Sequence, residues 1–527
     1  MNSRKPVSSL QRLASHRLPP VWPLLFAAIF LVGDAAIRAT PGPAKDHQLG
    51  LSNPNDSQTS IEQLPPGILE EVKFAGVGSC AASGCHGGVG RNDSLIRGDE
   101  FLIWRLQDPH AQAYQVLHGN LSKRIITNLS PRPSDLKLGD LLEFREVSDS
   151  LQRRCLKCHA TGGLAESESS VTVDGVSCES CHGNASNWLA AHTQDGWASR
   201  EDKKSLGFIR TDNLVTRARA CMKCHVGTID GDVNHDLYAA GHPQLQFELF
   251  SYHTRLPKHW HEGAGSEQQV LHGTDYYHDM LIAGALCSAE AGLKLLRDRL
   301  ALAIKPENAT EPEVTNQVWP ELSEYSCFRC HQDLAPETVD QFPKRNNQGE
   351  PGVGALSTWG TWHYALLESV CDESAELAWS DCLPQGLDPQ EIRRGLGTIR
   401  ESMGKLYLPQ EELVELNRLV TNLHNQLETA INSWADDERS ETEEDELLAS
   451  RAEKITSQLR TAAASSWDKS AMLFLAIESL RESRVPLDWK RSEIKQHLKY
   501  PRRHTLLNSP HTNDPPRNLI DALPVPD

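Results

Sequence analysis

Five times between Cys80 and His331 the chain places two cysteines close together and follows the second at once with a histidine. The strings are CAASGCH (Cys80, Cys85, His86), CLKCH (Cys155, Cys158, His159), CESCH (Cys178, Cys181, His182), CMKCH (Cys221, Cys224, His225) and CFRCH (Cys327, Cys330, His331). A shuffled chain of this composition would hold on the order of 0.01 C-x-x-C-H strings; four are present. This string attaches c-type haem: two sulfurs form thioethers at one edge of a porphyrin while the adjacent imidazole turns under the iron. Zinc ribbons also use C-x-x-C pairs, but zinc does not require a histidine directly after the second cysteine every time. The first motif has four residues between its cysteines. Its company makes it a fifth haem site, with a disulfide as the alternative. The expectation is five covalently bound haems c, held by ten cysteines, with His86, His159, His182, His225 and His331 as proximal iron ligands.

The remaining composition fits that reading. The chain has 527 residues, room for two or more domains, and an aromatic fraction of 6%. Porphyrins can fill space that Phe and Tyr otherwise occupy. A formal charge of −18 makes nucleic acid an unfavourable partner and suits redox proteins with basic docking surfaces. Residues 1–39 combine a basic start (Arg4, Lys5, Arg12, Arg17) with an apolar run from Leu24 to Val32 and small residues after it. This is the pattern of a secretory signal peptide, with an uncleaved membrane anchor as the alternative. Export predicts a periplasmic or otherwise exported protein that meets the haem maturation machinery outside the inner membrane. Cys371 and Cys382 are close enough in sequence to pair in an oxidising compartment, and Cys287 reads as a buried thiol.

In chain order, residues 40–70 form a flexible linker and 71–380 the pentahaem domain. Asp108 and Pro109 predict a helix start that carries His110, with Ala113 and Leu117 on the same face. His192 lies in a helical turn that begins at Trp188. His235 and His242 are seven residues apart, which is one helix face if the helix survives Gly241. At least one of the two should ligate. His253, His259 and His261 read as propionate partners, surface residues or the lining of a substrate cavity. Tyr276–Leu302 has the spacing of a core helix, and TWHYALLESV a short helix carrying His363. From Asp388 the Cys–His pattern stops, and apolar stripes predict a helical bundle over 386–484, followed by an extended tail over 485–527. Of the five methionines only Met280 stands where it could ligate a haem. Bis-His irons, or irons with an open sixth position, must therefore dominate. His110, His192, His235 or His242, and His363 are the distal candidates.

The strings WRLQDPHAQAY, CLKCHATGG, GVSCESCHG, CMKCHVG and HDLYAAGHP resemble multihaem cytochromes of the cytochrome c-554/c-prime type, over about 75–380. The resemblance implies a mainly helical protein with short helices, long loops and closely stacked, mostly bis-His haems that relays electrons in the periplasm. It also implies a distal role for His110. Members of that type often have four haems, and the resemblance leaves the C-terminal bundle unexplained. The expected function is electron transfer between redox partners. The alternative is an oxidoreductase acting on a small nitrogen or sulfur compound at one five-coordinate haem.

Overall fold

A computed structural model describes residues 74–90, 96–130, 140–163, 170–261, 276–304, 319–325, 359–360, 362–372, 379, 383–405, 408–436, 445–462 and 467–482. The leader, the expected linker and tail, the fifth motif (Cys327, Cys330, His331) and Cys382 lie outside the described residues. So does any test of a Cys371–Cys382 disulfide.

The described residues are mainly α, as the sequence predicts, with short 3-10 turns and a single isolated bridge between Tyr325 and Trp359. Eight short helices occupy the motif region: α1 (Glu100–Gln107), α2 (Asn120–Leu129), α3 (Asp149–His159), α4 (Ser170–Val173), α5 (Cys178–His182), α6 (Leu214–His225), α7 (His235–Ala240) and α8 (Leu249–His253). Their starts follow from local chemistry. A side-chain oxygen just before a helix accepts from the first free backbone N–H groups. Ser148 does this for α3, Asn213 for α6, Asn234 for α7 and Glu248 for α8. Six longer or later helices follow: α9 (Tyr276–Ala303), α10 (Ala365–Val370), α11 (Pro389–Met403), α12 (Gln410–Asp436), α13 (Asp445–Ala462) and α14 (Trp467–Glu482).

The 28-residue helix α9 is the axis of the packing. Met280, Leu281, Ile282, Leu286, Leu293, Leu296 and Leu300 are all buried, and together they cover more than one face of the helix. A helix that is apolar all round belongs inside a protein. It packs against α6 and α8 from the motif region and against α12 and α14 from the C-terminal region. At Gly292 a Cβ would lie 2.8 Å from the Tyr364 hydroxyl and 3.3 Å from the His363 Cβ, so a side chain there would push the 362–370 segment off α9.

One apolar core runs from Leu214 on α6 to Leu480 on α14. The composition changes near residue 386, and the packing continues across that change. Polar ties follow the same route. Arg219 on α6 donates to both Glu290 carboxylate oxygens on α9 (2.8 and 2.7 Å) and to Asn432 on α12 (2.6 Å). Arg299 on α9 is buried between Asp232 (2.5 Å) and Glu324 (2.6 Å), and Asp232 also receives Arg154, next to the second motif, at 3.1 Å. Among the described residues no helix is long and apolar enough to cross a membrane.

Three local expectations change. The helix expected from Pro109 is two separate 3-10 turns, Pro109–Gln112 and Gln115–His118. The carbonyls that would extend it are taken elsewhere: His110 O accepts from Val176 N, and Ala113 O from the His159 ring. The helix from His235 stops at Gly241, whose φ of 118° is a left-handed conformation that glycine adopts without steric cost. His235 and His242 therefore share no helix face. His363 sits in the turn before α10 rather than on it.

Candidate metal centres

Three of the four described motifs sit on helices that end at or next to the motif histidine. Helix α3 finishes with Cys155, Cys158 and His159; α5 is the third motif itself; α6 finishes with Cys221, Cys224 and His225. Residues three and four apart share one side of a helix, so the second cysteine and the histidine project together with the first. The helix must then end. After α5 it does so at Gly183, with φ 84°. Cys80, Cys85 and His86 lie in consecutive turns instead, where Cys85 N and Gly87 N both donate to Ala82 O. This extra turn accommodates the two additional residues of the first motif.

The sulfurs of the four described motifs stand for the atoms that thioether bonds would use. Cys80 and Cys178 contact each other, as do Cys158 and Cys224. The first motif thus lies against the third and the second against the fourth. Burial pushes the thiol of Cys155 up to about 11 and that of Cys221 to about 12, so as free cysteines they would be poor nucleophiles.

Three motif imidazoles each lie beside one histidine from outside the motifs. His86 faces His192 with ring centres 6.4 Å apart and planes 12° from parallel. His110 faces His225 at 6.2 Å and 89°. His182 faces His259 at 6.4 Å and 73°. A ligating imidazole nitrogen stands about 2 Å from its metal, and the ring centre roughly 1 Å farther back, so two rings across one metal have centres roughly 6 Å apart. Each pair joins one motif histidine to one histidine outside the motifs. Among the described residues no group of three or more His, Cys, Asp and Glu converges on a point, as the four-ligand shell of a zinc ribbon requires.

The second ring nitrogens are anchored. Nδ1 of His159 donates to Ala113 O at 2.8 Å, that of His192 to Leu189 O at 2.5 Å, and that of His242 to Pro243 O at 2.8 Å. Nδ1 of His110 donates to Asp108 Oδ1 at 2.9 Å. His86 Nδ1 lies 3.1 Å from Glu100 Oε2, a charge contact off the line of N–H donation. Fixing Nδ1 in this way leaves Nε2 as the metal-binding atom and sets the plane of the ring. Burial lowers the pKa of His182 and of His225 to about 4, with the charges of His259 and of His110 adding to it respectively, and lowers those of His159, His242 and His259 as well. These rings are neutral at pH 7, the form that binds metal. The residues present fit haem c.

The remaining candidates are placed as follows. His242 lies near enough to His159 for its charge to lower that ring's pKa. His235 opens α7, with its backbone N–H on Glu321, and its ring is opposed to none of the four described motif imidazoles. His363 is half-buried, bonded to Ser288 Oγ at 2.9 Å; the fifth motif, its expected counterpart, lies outside the described residues. His259 stands opposite a motif ring although its spacing in the sequence does not single it out as a ligand. It sits in the short string Lys258–His261, whose Trp260 ring lies between Arg217 (5.5 Å) and Lys258 (5.3 Å). This cation–π clamp holds the neighbouring imidazole in place. Aromatic–basic alternation is the sequence signal that points there.

Helix-borne Cys-x-x-Cys-His strings with a second imidazole nearby fit the attachment pattern of c-type haem. Residues 83–183 match the family described as cytochrome c554 and c-prime, which supports a c-type cytochrome of electron transfer. No curated protein and no solved structure matches the chain.

Proposed function

We propose that the chain is an exported pentahaem cytochrome c that carries electrons between redox proteins, with the ten motif cysteines as attachment points and mostly bis-His iron. The supporting observation is the set of three opposed imidazole pairs at 6.2–6.4 Å. In this reading His192, His259 and His110 are the distal ligands of the first, third and fourth motifs. His242 is the candidate for the second, and His235 and His363 for the fifth. Bound, haem c supplies a one-electron couple at iron. The polypeptide anchors each porphyrin edge through sulfur and fixes the ligating rings; burial favours the neutral form of His159, His182, His225, His242 and His259, whereas Glu100 and Asp108 raise the pKa of His86 and His110. The leader supports export, and the net negative charge supports partners with basic docking surfaces. Electron paramagnetic resonance of the purified ferric protein tests the reading: predominantly low-spin signals are expected, and a wholly high-spin spectrum contradicts it.

The second motif supports the alternative reading. Among the described residues His159 has no imidazole facing it at the separation of the other three pairs. An open sixth position there would let a small nitrogen or sulfur compound reach iron. A high-spin component that responds to nitrite, hydroxylamine or sulfite is the result that favours an oxidoreductase; a spectrum indifferent to all three removes it.

A further inference from the structure

Two anchored imidazoles differ from the rest in what meets Nδ1. His159, His192 and His242 donate to neutral backbone carbonyls, and His182 is 3.5 Å from the Thr211 hydroxyl. Nδ1 of His259 is buried with no hydrogen-bond partner. His110, by contrast, meets the buried carboxylate of Asp108 at 2.9 Å, and His86 meets Glu100 at 3.1 Å. Both carboxylates are committed to this task. Asp108 Oδ1 also accepts the His110 backbone N–H at 2.9 Å, which locks side chain and ring in one turn. Glu100 Oε2 is buried and has no aligned donor of its own.

A carboxylate beside Nδ1 favours positive charge on the ring and makes the imidazole a stronger electron donor through Nε2, by a hydrogen bond at His110 and by its negative charge alone at His86. Stronger donation favours the more positive oxidation state of the metal. We propose that Asp108 and Glu100 are positioning residues that lower the reduction potentials of the fourth and first centres, leaving the third, flanked only by a distant hydroxyl and an unpartnered nitrogen, as the higher-potential member of its couple with the first. The step is a one-electron exchange, Fe(III) to Fe(II), with an external redox partner, and the Nδ1 proton stays on the ring. The inference rests on the haem-ligand reading above.

The test is a mediated potentiometric titration of the full mature protein and of its E100Q and D108N variants, followed by visible absorbance and by electron paramagnetic resonance. Both variants keep an oxygen acceptor of the same shape and remove the charge. In each, one one-electron component should move upward, with about a tenfold change in its oxidised-to-reduced ratio, or roughly 59 mV, while the others stay in place. If D108N fails to mature, E100Q alone decides the matter, because Gln keeps an oxygen for the Gly98 and Glu100 backbone N–H groups that the Glu100 carboxylate accepts. A fully haem-loaded, low-spin E100Q protein that titrates like the parent overturns the inference and leaves the ligand reading standing. So does a uniform shift of every component. A parent protein without haem removes both.

Discussion

A neutral imidazole binds a metal and a protonated one does not, so the surroundings of each ring decide what it can do. His182 and His259 meet both conditions for a ligand pair: burial lowers each pKa, and the rings face each other at 6.4 Å. Replacing His259 with Ala should convert one low-spin iron to a high-spin signal without changing the number of haems per chain. An unchanged resonance spectrum would remove His259 from the ligand set. The motif residues are legible in the sequence because thioether geometry forces a fixed covalent spacing. The histidines outside the motifs are not, because nothing local obliges a distal ligand to stand at any particular distance along the chain. His110 is visible through Asp108 and Pro109, which set a turn. His259 has no such frame and owes its position to Trp260, Arg217 and Lys258, which only the folded chain brings together.

At the scale of elements, the fold depends on α9 and on what it buries. Leu293 is fully buried in the shared core, and Leu293→Ala should cost about 2–5 kcal/mol, read by denaturant unfolding. The Arg299 cluster is more sensitive. Burial disfavours the charge of Arg299, but Glu324 and Asp232 outweigh it and raise its pKa. Arg299→Leu leaves two buried carboxylates short of a partner and should cost about 3–5 kcal/mol. A loss under about 1 kcal/mol would mean the cluster is held by something other than charge pairing. The long helices are legible from apolar spacing, and α11 from Asp388 and Pro389. Spacing misleads where a competing bond or backbone conformation interrupts it. The carbonyls of His110 and Ala113 are diverted to Val176 and His159, and Gly241 turns left-handed. Both are decided by partners remote in sequence or by a conformation that glycine permits and does not require.

For the whole molecule, the core joins the motif region to the C-terminal helices through α9. Deleting residues 386–527 should therefore expose the α9 face that α12 and α14 cover, and give a chain that aggregates. A soluble, fully coloured truncation would show instead that the two regions are separable. Acid should also unfold the protein progressively. Burial alone would raise the pKa values of Asp212, Asp298 and Glu321, but Arg210, Lys294 with Arg297, and the backbone N–H groups of Ser323 and His235 hold them below their ordinary values of 3.8 (Asp) and 4.5 (Glu). A carboxylate with a depressed folded pKa contributes stability above its unfolded value and loses it as pH falls through the folded one. Denaturation midpoints should be flat above about pH 5 for these groups and fall below it; a midpoint that rises on acidification would contradict the assignment.

The central claim is that flat tetrapyrroles are bonded to this chain through its motif sulfurs. The most direct measurement is the number of haems per polypeptide, from the pyridine haemochrome absorbance of the mature protein after denaturation. Five that stay with the chain are expected. A colourless chain, or colour that extracts into acidified organic solvent and leaves the ten motif cysteines open to alkylation, would contradict it.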